Sequence, residues 1–167
     1  KQYKGHKFIR TTVTISTSDA LGCNFMPEFL TEANATQDFF ENPDWFFGLC
    51  ESHSFERQED FAHTMLTLFQ KSFREGKVLS YEVHFLTNKE AEMVKLFRNC
   101  FLATKVSFCN EIAEFCRIKD ISYEKVRRWA SIDSRIQASH TSVPGPDGKF
   151  GFGGTCCLLY TSPSPRD

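Results

Sequence analysis

The sequence has 167 residues, 41% hydrophobic and 25% charged, which is enough chain and apolar content for one sizeable core. Twenty basic residues against twenty-one acidic ones leave a net charge of -1 with no run of Lys or Arg, so nothing marks it for nucleic acid or an anionic membrane. No apolar stretch approaches the roughly 18 to 20 residues of a membrane span, and residues 1–5 lack the apolar core of a signal peptide.

Residues 7–13 read as a β-branched strand running into a polar turn at 14–19, and residues 24–27 as a second short strand. The turn signal Asn42-Pro43-Asp44 introduces an apolar run at 45–50, short enough for a buried strand, so this half reads as part of an α/β sheet. With Ser54 as N-cap, Phe61, Met65, Phe69 and Phe73 recur every four residues beside Leu68, and Gly76 follows a basic last turn, predicting an amphipathic helix. Residues 78–86 alternate loosely, as a further strand would.

Thr87-x-x-Glu90 is a capping box, and residues 88–117 contain neither Gly nor Pro, predicting a helix of about 45 Å. Its apolar residues cover more than one face and predict burial on several sides. Ser122 is placed to cap a further short helix through Trp129, and residues 142–154 form a Pro/Gly-rich loop.

Seven cysteines (Cys23, Cys50, Cys100, Cys109, Cys116, Cys156, Cys157) show no C-x-x-C or Cys/His zinc spacing. An odd number suits a reducing compartment, so a cytoplasmic protein with buried thiols and no metal is expected. The five histidines are scattered without a partner implied by spacing. Eighteen Phe point to an aromatic interior.

Three constellations carry possible chemistry. Lys95 and Asn99 lie at i, i+4 on an apolar helix, where the ammonium either meets a polar or anionic partner or snorkels to a solvated edge. The closely spaced glycines of residues 144–154 are able to turn N–H groups toward an anion and end in Cys156. That thiol is either a nucleophile of lowered pKa or an ordinary Cys after a flexible linker. Glu28 and Glu32, following Pro27, suit a carboxylate pair at the start of a helical turn, one managing a water and the other a ligand, or else both are simply solvated.

Taken together, Met-Pro-Glu-Phe-Leu-Thr-Glu (26–32), Ala-Glu-Met-Val-Lys-Leu-Phe-Arg-Asn-Cys-Phe-Leu-Ala-Thr-Lys (91–105) and Gly-Phe-Gly-Gly-Thr-Cys (151–156) resemble the UDP-glucose/GDP-mannose dehydrogenase family in order and interval. Asn42-Pro43-Asp44 and Asp133-x-Arg135-Ile136 fall where the family has similar residues, so the likeness covers about positions 8–156. The resemblance implies an NAD-dependent oxidation of a sugar C6 alcohol to a carboxylate, UDP-glucose being the foremost substrate and GDP-mannose or a UDP-N-acetylhexosamine the alternatives. Cys156 matches the nucleophile that forms a thioester. Lys95 matches the cation that stabilises oxygen charge, Asn99 assists it, Glu28 handles the hydrolytic water, and Thr12 helps position that water. Thr11, Thr12, Val13 and Glu32 resemble NAD contacts. Glu28, Phe29, Leu30, Lys95, Asn99, Arg135, Gly151, Phe152 and Gly153 resemble nucleotide-sugar contacts, with the Arg crossing to the other subunit of a homodimer or higher homo-oligomer formed through the long helix.

The expected organisation is α/β: a C-terminal remnant of a Rossmann-type NAD-binding domain over residues 1–86, then a mainly α-helical central dimerisation domain over 87–156 that ends in the Cys loop. No G-x-G-x-x-G precedes the first strand, and Thr14-Ile15-Ser16 stands where the family has a Pro-Pro-Gly-like turn. Residues 157–167, where the family reads aromatic-Pro-Lys-Asp, look like a translated sequencing adaptor. The chain is therefore expected to be an inactive fragment of an enzyme. The rival readings are a non-catalytic helical dimerisation module and a Gly-loop anion-binding protein without redox chemistry.

Overall fold

A computed structural model describes residues 5–30, 34–146 and 148–152. It divides into two compact units, Lys1–Leu96 and Phe97–Asp167.

The first unit is built on a four-stranded mixed sheet in the order β1-β2-β3-β4, with β1 (Phe8–Ile9), β2 (Asn24–Phe25), β3 (Asp44–Leu49) and β4 (Glu82–Thr87). β1 pairs parallel with β2, β2 antiparallel with β3 through Phe25 and Gly48, and β3 parallel with β4 from Asp44↔Glu82 to Leu49↔Thr87. Three helices accompany them: α1 (Thr17–Ala20), α2 (Ala35–Phe40) and α3 (Phe55–Arg74).

The expected strand over residues 7–13 shrinks to two residues, because Arg10 onward leaves the sheet for the turn that opens α1. The polar stretch 14–19 is partly helical, and α2 lies where no element was expected. Both are short segments without an apolar face long enough to show a period.

Alternation on β3 sends Trp45 and Phe47 into a core completed by Met26, Phe61, Met65, Phe69 and Val78, with Phe39, Leu49, Val83 and Phe85 packed around them. Rings meet edge-on or tilted there, as between Trp45 and Phe69 (4.4 Å) and Phe47 and Phe61 (5.7 Å), the arrangements that aromatic quadrupoles favour. α3 contributes Phe61, Met65 and Phe69, a narrower stripe than expected: Leu68 is exposed, and Phe73 turns outward onto Tyr81, 5.0 Å between rings. Ser54 caps α3 by accepting from the Arg57 N–H. At its C-terminus Gly76 takes φ 65°, Lys77 N–H donates to Ser72 O and Gly76 N–H to Phe73 O, the paired bonds of a Schellman ending.

β4 runs directly into α4 (Asn88–Ile118). The capping box forms in both directions, the Thr87 N–H donating to the Glu90 carboxylate at 2.8 Å and the Glu90 N–H to Thr87 Oγ1 at 3.3 Å. The first turns of α4 belong to the first unit and the remainder to the second. The helix closes on Asp120 in the left-handed region (φ 54°), with the Ile121 N–H donating to Cys116 O.

In the second unit α4 is joined by α5 (Tyr123–Ala130). Cys109 and Cys116 are buried, and the Tyr123 hydroxyl donates to Thr141 O at 2.7 Å. Burial first, and then a hydrogen bond with Cys109, push the Tyr123 phenol above its ordinary value. The expectation that α4 is buried on several sides is not met within this chain: Phe97, Phe101, Phe108, Phe115 and Ile118 remain 55–64% exposed.

Gly48 fixes how closely α4 approaches the sheet. A Cβ placed there would lie 2.7 Å from Asn88 Oδ1, 2.8 Å from the Asn88 Cα and 3.1 Å from the Ala91 Cβ. Because one of those atoms is backbone, Gly48→Ala forces the helix start away from β3. A loss of about 1–3 kcal/mol of unfolding free energy is expected, measured by urea titration against wild type.

Candidate functional site

The geometry of the first unit starts from two adjacent parallel strands. The Asn24 N–H donates to Lys7 O (3.0 Å) and the Met26 N–H to Ile9 O (2.8 Å), so the segments leaving β1 and β2 emerge side by side from the same edge. Carboxyl ends of neighbouring parallel strands are where open α/β sheets build ligand crevices. The first segment carries Thr11, exposed, Thr12, buried, and Val13, half-buried; the second carries Glu28, Phe29 and Leu30, all half-buried.

Residues 26–30 are not helical, which corrects the helical-turn placement expected for Glu28. Met26 precedes a proline and already bonds to β1, both of which favour extended backbone. Glu32 lies outside the described residues.

Lys95 is 5% exposed on α4, and its ammonium donates to the Glu28 carbonyl and stands 5.8 Å above the Phe29 ring. Phe29 in turn meets Phe46 edge-on at 6.3 Å. The alternative of a Lys snorkelling to a solvated edge is thereby set aside: burial is matched by a carbonyl acceptor and an aromatic face. The Glu28 carboxylate faces the Arg10 guanidinium at 3.6 Å, both groups about two-fifths exposed. A cavity of about 20 Å³ lined by Arg10, Glu28, Phe29, Leu30 and Asp38 among others is large enough for a single water.

Three residues that sequence reasoning passed over hold this arrangement. Glu92, 1% exposed, accepts from the backbone N–H groups of Ser16 (2.6 Å) and Ser18 (2.9 Å). Asn88, fully buried, donates to Asp19 Oδ1 (2.8 Å) and Cys23 O (2.9 Å), and Asn24 Oδ1 accepts from the Cys50 N–H (3.0 Å). The signal for Glu92 was its place one helical turn before Lys95 in an otherwise apolar stretch, where a carboxylate requires partners if it faces inward.

In the second unit, Asn99 is half-buried on α4. Arg135 is exposed and forms a two-pronged pair with Asp133, Nε to Oδ1 at 3.0 Å and Nη2 to Oδ2 at 2.6 Å, which holds the Asp133 carboxyl below its usual range. Gly151 is buried at φ 77°, and its N–H donates to Asn110 Oδ1 at 3.0 Å, while Asn110 Nδ2 donates to Val106 O at 2.8 Å. Asn110 stands three helical turns after Asn99 and was another residue missed. Phe152 is half-buried; Gly153 and Cys156 lie outside the described residues.

Among the described residues no group of three or more His, Cys, Asp or Glu is placed to hold a metal ion, and no helix is long and apolar enough to cross a membrane. Cys23, Cys50, Cys100, Cys109 and Cys116 are free thiols.

Residues 89–162 match the model of the UDP-glucose/GDP-mannose dehydrogenase family, central domain. The UDP-glucose 6-dehydrogenase of Pseudomonas aeruginosa is 34% identical over 130 residues, 78% of this chain and 25% of that protein. The UDP-glucose 6-dehydrogenase TuaD of Bacillus subtilis is 42% identical over 71 residues, 42% of this chain and 14% of that protein. Among solved structures, a UDP-glucose dehydrogenase from Pyrobaculum islandicum superposes with a TM-score of 0.58 at 27% identity, covering 81% of this chain and 27% of that one. A GDP-mannose dehydrogenase from Pseudomonas aeruginosa shares the fold, with a TM-score of 0.59 at 23% identity over 77% of this chain and 30% of that one. The chain thus spans only about a quarter to a third of the length of the relatives and structures it matches over most of its own length. Residues 89–162 thus belong to the UDP-glucose/GDP-mannose dehydrogenase family, central domain, and over most of its length the chain is similar to UDP-glucose 6-dehydrogenases.

Proposed function

We propose that this chain supplies the reaction centre of an NAD-dependent nucleotide-sugar dehydrogenase that oxidises the C6 alcohol of UDP-glucose to the carboxylate. The observation that carries the reading is the seating of Lys95 on the Glu28 carbonyl and Phe29 ring, which joins two family motifs 67 residues apart in sequence.

The residues that fit NAD are Thr11, Thr12 and Val13 at the carboxyl end of β1, with Glu32 as a further contact. The cofactor supplies hydride acceptance, once for the alcohol and once for the aldehyde level. The chain's own residues do the rest. The Cys156 thiolate adds to the aldehyde carbon, and loss of hydride from that adduct leaves a thioester. The Lys95 ammonium, assisted by Asn99, stabilises negative charge on the reacting oxygen. Glu28 and Thr12 direct a water to the thioester carbonyl, which releases the acid and restores the thiol. Phe29, Leu30, Gly151, Phe152 and Gly153 hold the nucleotide sugar, and Arg135 reaches it from a second subunit.

The chain's span of only about a quarter to a third of its relatives' length supports the reading that these 167 residues alone do not turn over. A chain extended at both ends to the length of its relatives is expected to form two NADH per UDP-glucose, with GDP-mannose and UDP-N-acetylhexosamines as weaker substrates. Cys156→Ser is expected to abolish acid formation beyond the first oxidation level. Acid production unchanged in that variant removes Cys156 from the mechanism and this reading with it.

A second copy of the chain is the partner that suits α4. Phe97, Phe101, Phe108 and Phe115 recur at helical spacing and stay more than half exposed, an apolar stripe that a homodimer covers. Light scattering on the 167-residue chain is expected to give a dimer or larger species, and Phe101→Lys with Phe108→Lys to shift it toward monomer. A monodisperse wild-type monomer overturns the dimer. The free thiols support a cytoplasmic setting.

A further inference from the structure

Ser16 is a non-glycine residue at φ 74°, in the left-handed region, at the head of α1. Its side chain forms no cap to α1. The turn is closed from within by the Thr17 N–H donating to Thr14 O at 3.1 Å and by the Thr14 and Thr17 hydroxyls at 2.8 Å, and it is held from outside by Glu92, which accepts the Ser16 and Ser18 N–H groups at 2.6 and 2.9 Å, one on each carboxylate oxygen. Such charge-assisted bonds are shorter and stronger than neutral ones, and a side chain left 1% exposed has no water to replace them. The far end of the same segment is pinned separately, by Asn88 on Asp19. Glu92 is therefore the long-range tie on the turn itself, added to the bonds between Thr14 and Thr17. Upstream of that turn lies buried Thr12, with Thr11 and Val13 beside it, and one helical turn beyond Glu92 on α4 stands Lys95.

We propose that Glu92 is a positioning residue that locks the left-handed turn at Ser16 and so sets the cofactor-side segment Thr11–Thr12–Val13 against the helix that carries Lys95. The inference rests on the dehydrogenase reading for the role of that segment, but the clamp is testable without it. A left-handed turn held by a carboxylate has a specific remedy when the carboxylate is lost: glycine, which adopts that conformation unaided.

Two measurements test this. In the 167-residue chain, amide exchange at Ser16 and Ser18 is expected to quicken by about ten-fold or more in Glu92→Gln, and unchanged exchange overturns the clamp. In the chain extended to the length of its relatives, Glu92→Gln is expected to raise KM for NAD about ten-fold, leaving KM for UDP-glucose within about two-fold. Adding Ser16→Gly to Glu92→Gln is expected to recover most of that loss. A folded Glu92→Gln enzyme with unchanged KM for NAD, or with both KM values raised together and no rescue by Ser16→Gly, overturns the positioning role. If Glu92→Gln does not fold, Glu92→Asp takes its place in both arms. An extended wild-type protein that does not reduce NAD refutes the dehydrogenase reading instead, and the exchange result still decides the clamp.

Discussion

The docking of the first turns of α4 against β3 is the constraint on which the first unit depends. Gly48 presents no side chain, so the helix start lies within contact of the strand backbone, at Asn88 and Ala91. That closeness admits only the small Ala91 between helix and strand, and polar residues share the rest of the inward face. Asn88, Glu92 and Lys95, at spacings of four and three, are 0%, 1% and 5% exposed. Met93 and Phe97, which an amphipathic helix would bury, point outward. Beside Ala91, the buried side of these turns is polar while Met93 and Phe97 stay outside, an inversion of the ordinary arrangement at these positions.

Each member of this polar stripe reaches a different part of the chain. Asn88 ties the end of α1 and the residue before β2, Glu92 the turn that opens α1, and Lys95 the segment after β2. A buried polar group orients strongly where it is bonded, so the Asn88 amide N–H groups, the Glu92 carboxylate and the Lys95 ammonium specify one arrangement of three loops, although the Asn88 Oδ1 is buried without a partner. The aromatic core on the sheet supplies bulk stability, with Trp45, Phe47, Phe61 and Phe69 locked ring to ring. The stripe supplies geometry, and geometry is what a reaction centre assembled from separate loops requires.

Much of the fold was legible because it was written in local rules. The Ser54 cap, the Thr87/Glu90 capping box, the Gly76 ending and the Gly-free run after Asn88 each depend on residues within one or two turns, and α3 and α4 begin where those rules put them. α1 was not legible, since it is four residues long and owes its start to a carboxylate 74 to 76 residues away. Lys95 stood out in sequence as a charge on an apolar helix, whereas Glu92 looked like one more helical surface acid. Its place one turn before Lys95 is a local signal, but it does not tell which way the carboxylate faces. The partners that decide it are backbone N–H groups, which every sequence contains. The end of α4 came within one residue of the expected 117, although Asp120 there adopts the left-handed position that glycine usually fills.

The inversion along α4 also bears on why this helix presents so much apolar surface. An aromatic side chain carries about 150–250 Å² of buriable area, so four Phe more than half exposed present a patch that matches the largest on a typical monomer, about 300–600 Å² and often functional. Within the second unit the inward face is occupied by Cys109 and Cys116, small side chains beneath Tyr123, and by Asn110, whose amide spans from Val106 O to the Gly151 N–H. The helix thus gives its inward side to holding loops, by hydrogen bonds in one unit and by hydrogen bonds and small thiols in the other. In the proposed homodimer, burying Phe97, Phe101, Phe108 and Phe115 falls to the second copy. On the dehydrogenase reading that division has a functional logic: an element held on one side by loops that carry reacting groups and on the other by a second subunit has little freedom to move Lys95, and an oxyanion site acts through groups already in place when charge develops.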